Sequence, residues 1–77
     1  EQKSKATILH DAITMLSAED AKVILLFYKG EQTLEEISII LGVDPNTVKV
    51  RLYRARQRLK EKMEKHFAAE IKTMWND

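Results

Sequence analysis

Eight of the thirteen lysines and arginines in this 77-residue chain fall between positions 44 and 65, in the run DPNTVKVRLYRARQRLKEKMEK. With three acidic residues in the same stretch they leave a net charge of +5, whereas residues 1–43 carry four basic and seven acidic residues, net −3. The overall charge of +1 therefore conceals a polarised molecule, one region of which can attract phosphates. Cations at this density do one kind of chemistry unaided: they displace counterions from a polyanion.

Catalysis has far less to work with. Glu35 and Glu36 are adjacent carboxylates, but neighbours on a helix point about 100° apart, which is poor geometry for a shared acid–base site. Glu36 is also accounted for by a helix cap, as argued below. There is no cysteine, hence no thiolate nucleophile, disulfide framework or cysteine zinc site, and His10 and His66 are far apart in sequence. No glycine-rich phosphate loop occurs. A single domain is expected, since a chain this short buries only about 60% of its unfolded surface, too little for a large enzyme pocket. Neither an enzyme nor a metal or cofactor site is expected. No apolar run approaches the roughly 20 residues that span a bilayer, and the opening EQKSKATILHDA lacks the apolar core of a signal peptide. These features point to a soluble cytoplasmic protein with no membrane partner. A start on Glu1 rather than methionine suggests a piece of something longer, or a processed product.

The elements that must position the cations are helices. Two glycines and one proline all stand where helix punctuation would place them, so the fold class is all-α, with four helices expected. Ser4 can cap a first helix in which Ile8, Leu9, Ala12, Ile13 and Leu16 recur at helical spacing. A second begins at Ser17, with Asp20 as a weak capping box, and closes at Gly30 in the left-handed position. Its centre, VILLFY, is apolar nearly all round and makes it the expected central core helix; a strand there would have no second strand to pair with. The third opens at Thr33, whose hydroxyl and amide can exchange hydrogen bonds with Glu36, and ends near Leu41. Gly42, Val43 and Asp44 form a tight turn, with Asp44 capping the fourth helix and Pro45 at its first position. Val43 and Val48 occupy the two positions of a hydrophobic staple. No breaker follows Pro45, so the last helix is expected to run about thirty residues, roughly 45 Å.

On that helix Val48, Leu52, Ala55, Leu59 and Met63 form one narrow apolar stripe, which must face the core. Opposite lie Asn46, Val50, Tyr53, Arg54 and Gln57, flanked by Thr47 and Lys49, with Arg51, Arg56 and Arg58 nearer the shoulders. A solvated face carrying ordinary charges would look similar. What favours DNA is that the cations sit on the second helix of a tight helix-turn-helix, the element that a major groove about 12 Å wide admits.

From Leu16 to Leu59 the chain resembles region 4 of the extracytoplasmic-function sigma factors of bacterial RNA polymerase, the domain that reads the minus-35 promoter element. The matching residues are Thr33, Glu35, Glu36 and Ile37, then Leu41 and Gly42, then Thr47, Val48, Lys49, Arg51, Leu52, Arg54, Ala55 and Arg56. Departures are Ser17 for the usual proline, Leu34 for an aromatic, Asn46 for a common glycine and Val50 for a frequent serine. The resemblance implies that Lys49, Tyr53 and Arg54 approach bases, that Thr33 and Glu35 approach the DNA backbone or an edge base, and that Arg51, Arg56 and Arg58 approach phosphates or brace the fold. Val50 would offer an apolar contact, as to a thymine methyl, in place of a hydroxyl. The resemblance also implies two protein partners, the flap helix of the RNA polymerase β subunit and an anti-sigma factor. The output domain of a response regulator shares part of the skeleton, but it does not usually continue as Arg-Leu-Tyr-Arg-Ala-Arg. A helical protein-interaction module is the other alternative. The expected organisation is one domain over 1–77, with a core at 16–63 and a helical extension at 64–77. In that extension Phe67, Ile71, Met74 and Trp75 are expected to fold back on the first helix rather than to meet a partner.

Overall fold

The computed structural model describes residues 4–75, apart from the side chains at positions 71 and 73–75. Among the described residues there are five α-helices and no strand: α1 (Lys5–Thr14), α2 (Ala18–Tyr28), α3 (Leu34–Leu41), α4 (Pro45–His66) and α5 (Ala68–Trp75). The first four start where short polar side chains can take up orphan amides. Ser4 accepts from the Thr7 amide at 3.1 Å and Ser17 from the Asp20 amide at 3.2 Å. At α3 the exchange is reciprocal: the Glu36 amide donates to Thr33 Oγ1 at 3.1 Å, and the Thr33 amide donates to Glu36 Oε1 at 2.8 Å. Asp20 makes no such return bond to Ser17, because its carboxylate is engaged elsewhere.

The two turns that flank α3 close differently. Gly42 adopts left-handed backbone, φ 73° and ψ 30°, and the amides of Gly42 and Val43 both donate to the Ser38 carbonyl. Nothing lies within 4 Å of a Cβ built there, so the glycine answers the dihedral angle alone. Gly30 does not take the left-handed position expected of it. Glu31 does, with φ 51°. Gly30 serves another purpose, since a Cβ on it would come within 2.8 Å of the Leu26 carbonyl oxygen, a backbone atom that cannot step aside.

The central helix is α4, not α2. It packs against α1, α2, α3 and α5, through a buried seam of Val48, Leu52, Ala55 and Leu59 with Met63 half-buried beyond them. In α2 only Val23 and Ile24 of the VILLFY run are fully enclosed, while Leu25 and Tyr28 remain exposed. The longest element can touch every other; an 11-residue helix cannot. The buried cluster extends from Ile8, Ala12 and Ile13 to Phe67, beyond both ends of a 16–63 core.

The long last helix is two helices. At Phe67 the backbone leaves helical space (φ −132°, ψ 27°) while its amide still bonds the Met63 carbonyl at 2.9 Å. In a straight helix Phe67 would fall about 40° beyond Met63, at the drifting edge of the stripe. Its ring lies inside, at 6% exposure, and burying an aromatic ring contributes about 1.5–3 kcal/mol. This agrees with internal docking for Phe67; the expectations for the side chains of Ile71, Met74 and Trp75 lie outside the described residues.

Candidate nucleic-acid interface

The face of α4 that could enter a groove is set by how the helix starts and what its opposite face buries. Asp44 receives the Thr47 amide at 2.9 Å and the Thr47 hydroxyl at 3.0 Å. These two bonds, the backbone one first, hold the Asp44 carboxyl below the usual carboxylate range. Pro45 follows at the first helical position, and Val43 is half-buried against the core cluster to which Val48 belongs, as a staple would require. With Val48, Leu52, Ala55 and Leu59 turned inward, helical geometry turns Asn46, Val50 and Gln57 outward, with Tyr53 and Arg54 on either side of that line. All five are exposed, Tyr53 at 64% and Val50 at 40%. The outward line continues to exposed Glu61 and Glu64, where its charge reverses. A polyanion would thus be drawn chiefly to the first four turns of a helix roughly 33 Å long, since in the last turns the outward carboxylates Glu61 and Glu64 offset most of the lysine charge.

The two shoulders of this face have different neighbours. On one side Arg51, Arg54 and Arg58 border an open cleft of about 420 Å³ together with Asp20 and Lys22 of α2. On the other, Lys49, Tyr53 and Arg56 border an apolar hollow of about 220 Å³ floored by Phe27, Leu34 and Leu52. Arg56 lies 5.9 Å from the ring centroid of Tyr28, which in turn meets Phe27 edge-on at 5.1 Å. Arg58 is tied more firmly: its Nη1 donates to Asp20 Oδ1 at 3.0 Å and Oδ2 at 2.9 Å. Of the two roles implied for Arg58, bracing is the one these bonds make visible.

The threonines also divide. Thr33 Oγ1 accepts from the Glu36 amide and keeps its own proton to donate, so it can still meet a phosphate oxygen. Thr47 gives its hydroxyl proton to Asp44, and a phosphate would have to compete for it. Glu35 is exposed in the first turn of α3, suited to accept from a base amino group and not to approach a phosphate. Asp20, Lys22 and Tyr28 border the site without having been singled out for it by the sequence. Only the i, i+3 and i+7 spacing of Arg51, Arg54 and Arg58 hinted that something on another helix would face them. Among the described residues no group of three His, Cys, Asp or Glu could hold a metal ion, and no helix is long and apolar enough to cross a membrane.

Comparison with known proteins agrees with this geometry. Residues 6–59 match the family Sigma-70, region 4. The chain is 44% identical over 55 residues to RNA polymerase sigma factor SigV of Bacillus subtilis (strain 168), a match covering 71% of this chain and 33% of that protein. It is 34% identical over 64 residues to an RNA polymerase sigma-E factor of Streptomyces antibioticus, covering 83% of this chain and 36% of that one. A sigma-E factor of Streptomyces avermitilis is similar at 33% over 64 residues, also across 83% of this chain and 36% of its own length. The chain therefore spans about a third of the length of these curated relatives. No solved structure matches it.

Proposed function

The chain belongs to the Sigma-70, region 4 family, and from that premise we propose that it reads the minus-35 promoter element as one domain of a sigma factor directing RNA polymerase to promoters. One observation carries the reading most: the second helix of a capped helix-turn-helix turns Asn46, Val50, Tyr53, Arg54 and Gln57 outward between two cationic shoulders. An α-helix with its side chains is about 10–12 Å across and a major groove about 12 Å wide, so the outward line meets base edges while the shoulders meet phosphate. In this arrangement Lys49, Tyr53 and Arg54 reach bases, Val50 offers a methyl contact, and Asn46 and Gln57 are the amides available for adenine. Arg51 and Thr33 lie toward the backbone.

We read the domain as a binding module and not a catalyst, working in the cytoplasm where promoter DNA and polymerase meet. Its protein partner is the flap helix of the polymerase β subunit, held by the early helices. Apolar side chains left exposed on α1, α2 and α3, namely Leu9, Leu25, Ile39 and Ile40, support this, with Ile39 at 81% exposure. An anti-sigma factor would compete for the same apolar side chains.

The test is the salt dependence of binding to short duplexes. Neutralising about four to six phosphates gives a log–log slope of roughly −4 to −5. A duplex enriched from a randomised pool should outcompete a scrambled one of equal composition. A slope near zero would remove the basic-helix reading, and a steep slope without discrimination would remove promoter reading while leaving DNA binding.

A further inference from the structure

The Asp20–Arg58 pair has a geometry that a simple brace would not require. Both carboxylate oxygens are taken by one nitrogen, Nη1, at 3.0 and 2.9 Å. The Nη2 and Nε edge of the guanidinium has no partner among the described residues, and the Arg58 side chain is half-exposed. An arginine held this way is locked in direction while keeping a two-pronged donor edge for a second anion. Around it, in the 420 Å³ cleft, stand Arg54 and Arg51 one and two turns earlier on α4 and Lys22 on α2, none with a side-chain partner among the described residues. Four cations thus face two carboxylates, Asp20 and Glu19, and Asp20 is buried beneath Arg58. The cleft has an excess of positive charge, opens to solvent, and adjoins the outward line of α4 through Arg54.

We propose that this cleft is a seat for one backbone phosphate, built by Arg51, Arg58 and Lys22 with Arg54 at its base-facing edge, and that Asp20 is the positioning residue that aims Arg58 into it. The proposal rests on the reading of α4 as a recognition helix. With that helix in a major groove as wide as the helix itself, the phosphate strand on the α2 side must run along this shoulder. Arg51 and Arg58 supply cations from one element and Lys22 from another, so a phosphate in the seat ties α2 to α4 across the groove edge. Asp20 does not touch DNA. Its ion pair supplies direction: an unheld arginine would lose rotamer freedom on binding, whereas Arg58 has already lost it on folding.

The experiment measures binding of the full 77-residue chain to a pool-selected duplex and to its scrambled counterpart, between about 50 and 200 mM salt, for the chain as it stands and for Asp20→Asn, Arg58→Ala and Lys22→Gln. Losing one phosphate contact should reduce the log–log slope by about 0.9 and weaken both duplexes alike, by about tenfold at the low-salt end for Arg58→Ala. Asp20→Asn should follow Arg58→Ala in direction, and Asp20→Glu should restore binding. Because the seat holds one phosphate, Lys22→Gln combined with Arg58→Ala should not lower the slope beyond about 0.9 in total. Lys22 is exposed, so Lys22→Gln keeps the test open should Asp20→Asn fail to fold. A lower melting temperature for Asp20→Asn with unchanged slope and affinity below the melt would make the pair a brace alone and overturn the proposal. So would an unchanged slope in Lys22→Gln, or tighter binding by Asp20→Asn. A slope near zero in the unsubstituted chain would defeat the promoter reading itself, whereas a steep slope shared by all variants would defeat only the seat.

Discussion

Arg56 and Arg58 stand two residues apart on α4, and α2 treats them in opposite ways. At its start α2 offers Asp20, a buried carboxylate that grips one nitrogen of Arg58 and leaves the other edge outward. At its end it offers Tyr28, over whose ring Arg56 is drawn at 5.9 Å, beside an apolar hollow lined by Phe27 and Leu34. A carboxylate fixes a guanidinium by direction; an aromatic face attracts it broadly, at about 0.5–1 kcal/mol where exposed. Equal charges in the sequence therefore become unequal sites: beside the Asp20–Arg58 pair, one shoulder collects cations with no side-chain partner among the described residues, and the Tyr28 side stacks and packs. Counting basic residues cannot tell the two apart.

The largest effect expected from this contrast is on stability. Leu52 floors the apolar hollow and is buried, so Leu52→Ala should cost about 2–5 kcal/mol in thermal or urea unfolding. A loss below about 1 kcal/mol would mean that the Tyr28 side is not a packed wall and that the two shoulders differ less than their neighbours suggest.

A smaller effect separates the arginines themselves. Arg54→Ala should cost about 1–3 kcal/mol on the preferred duplex and flatten discrimination at one base position. Arg56→Ala should leave discrimination intact and reduce folding stability by no more than about 1 kcal/mol. Equal, sequence-blind losses from Arg54→Ala and Arg56→Ala in a randomised-duplex selection would erase the asymmetry and show that the angular setting of α4 is misjudged.

The most modest change is expected where α4 begins, upstream of both shoulders. The Asp44 carboxyl is held below its ordinary value by the Thr47 amide and then the Thr47 hydroxyl. Its contribution to stability is fully present above the unfolded carboxyl range and is lost as pH falls through the lower folded value. Asp44→Asn keeps an oxygen acceptor for the Thr47 amide but cannot titrate. It should flatten the acid limb of a melting-temperature-against-pH curve with little change near neutrality. An acid limb identical to that of the unsubstituted chain would show that the cap does not anchor the helix carrying both shoulders.

Much of the framework that positions the candidate site was legible because its causes are local. Caps act over three residues, so Ser4, Thr33 with Glu36, and Asp44 with Pro45 announced the starts of α1, α3 and α4 in the order of the side chains alone. The stripe from Val48 to Leu59 needed only the helical period to show which side of α4 is buried, and hence which residues face outward. Charge polarity required only counting. The family resemblance drawn from the same residues agrees with the match over residues 6–59.

What the sequence could not decide depended on contacts between distant parts of the chain. Asp20 follows Ser17 as a capping residue would, yet 38 positions separate it from Arg58, the partner that takes its carboxylate; propensity near Ser17 holds no trace of that competition. Gly30 invited a left-handed angle, but the close approach of the Leu26 carbonyl explains the missing Cβ, and the strained angle passed to Glu31. No glycine or proline marks the break at Phe67, whose ring joins a core assembled from α1, α2, α3 and α4. The sequence by itself determined which segments are helices and which side of α4 is wet, since those follow from hydrogen bonds and periods a few residues long. Only the tertiary structure decided which helix is central, where the last one bends and which arginines remain available, since each of those depends on what another helix brings within reach.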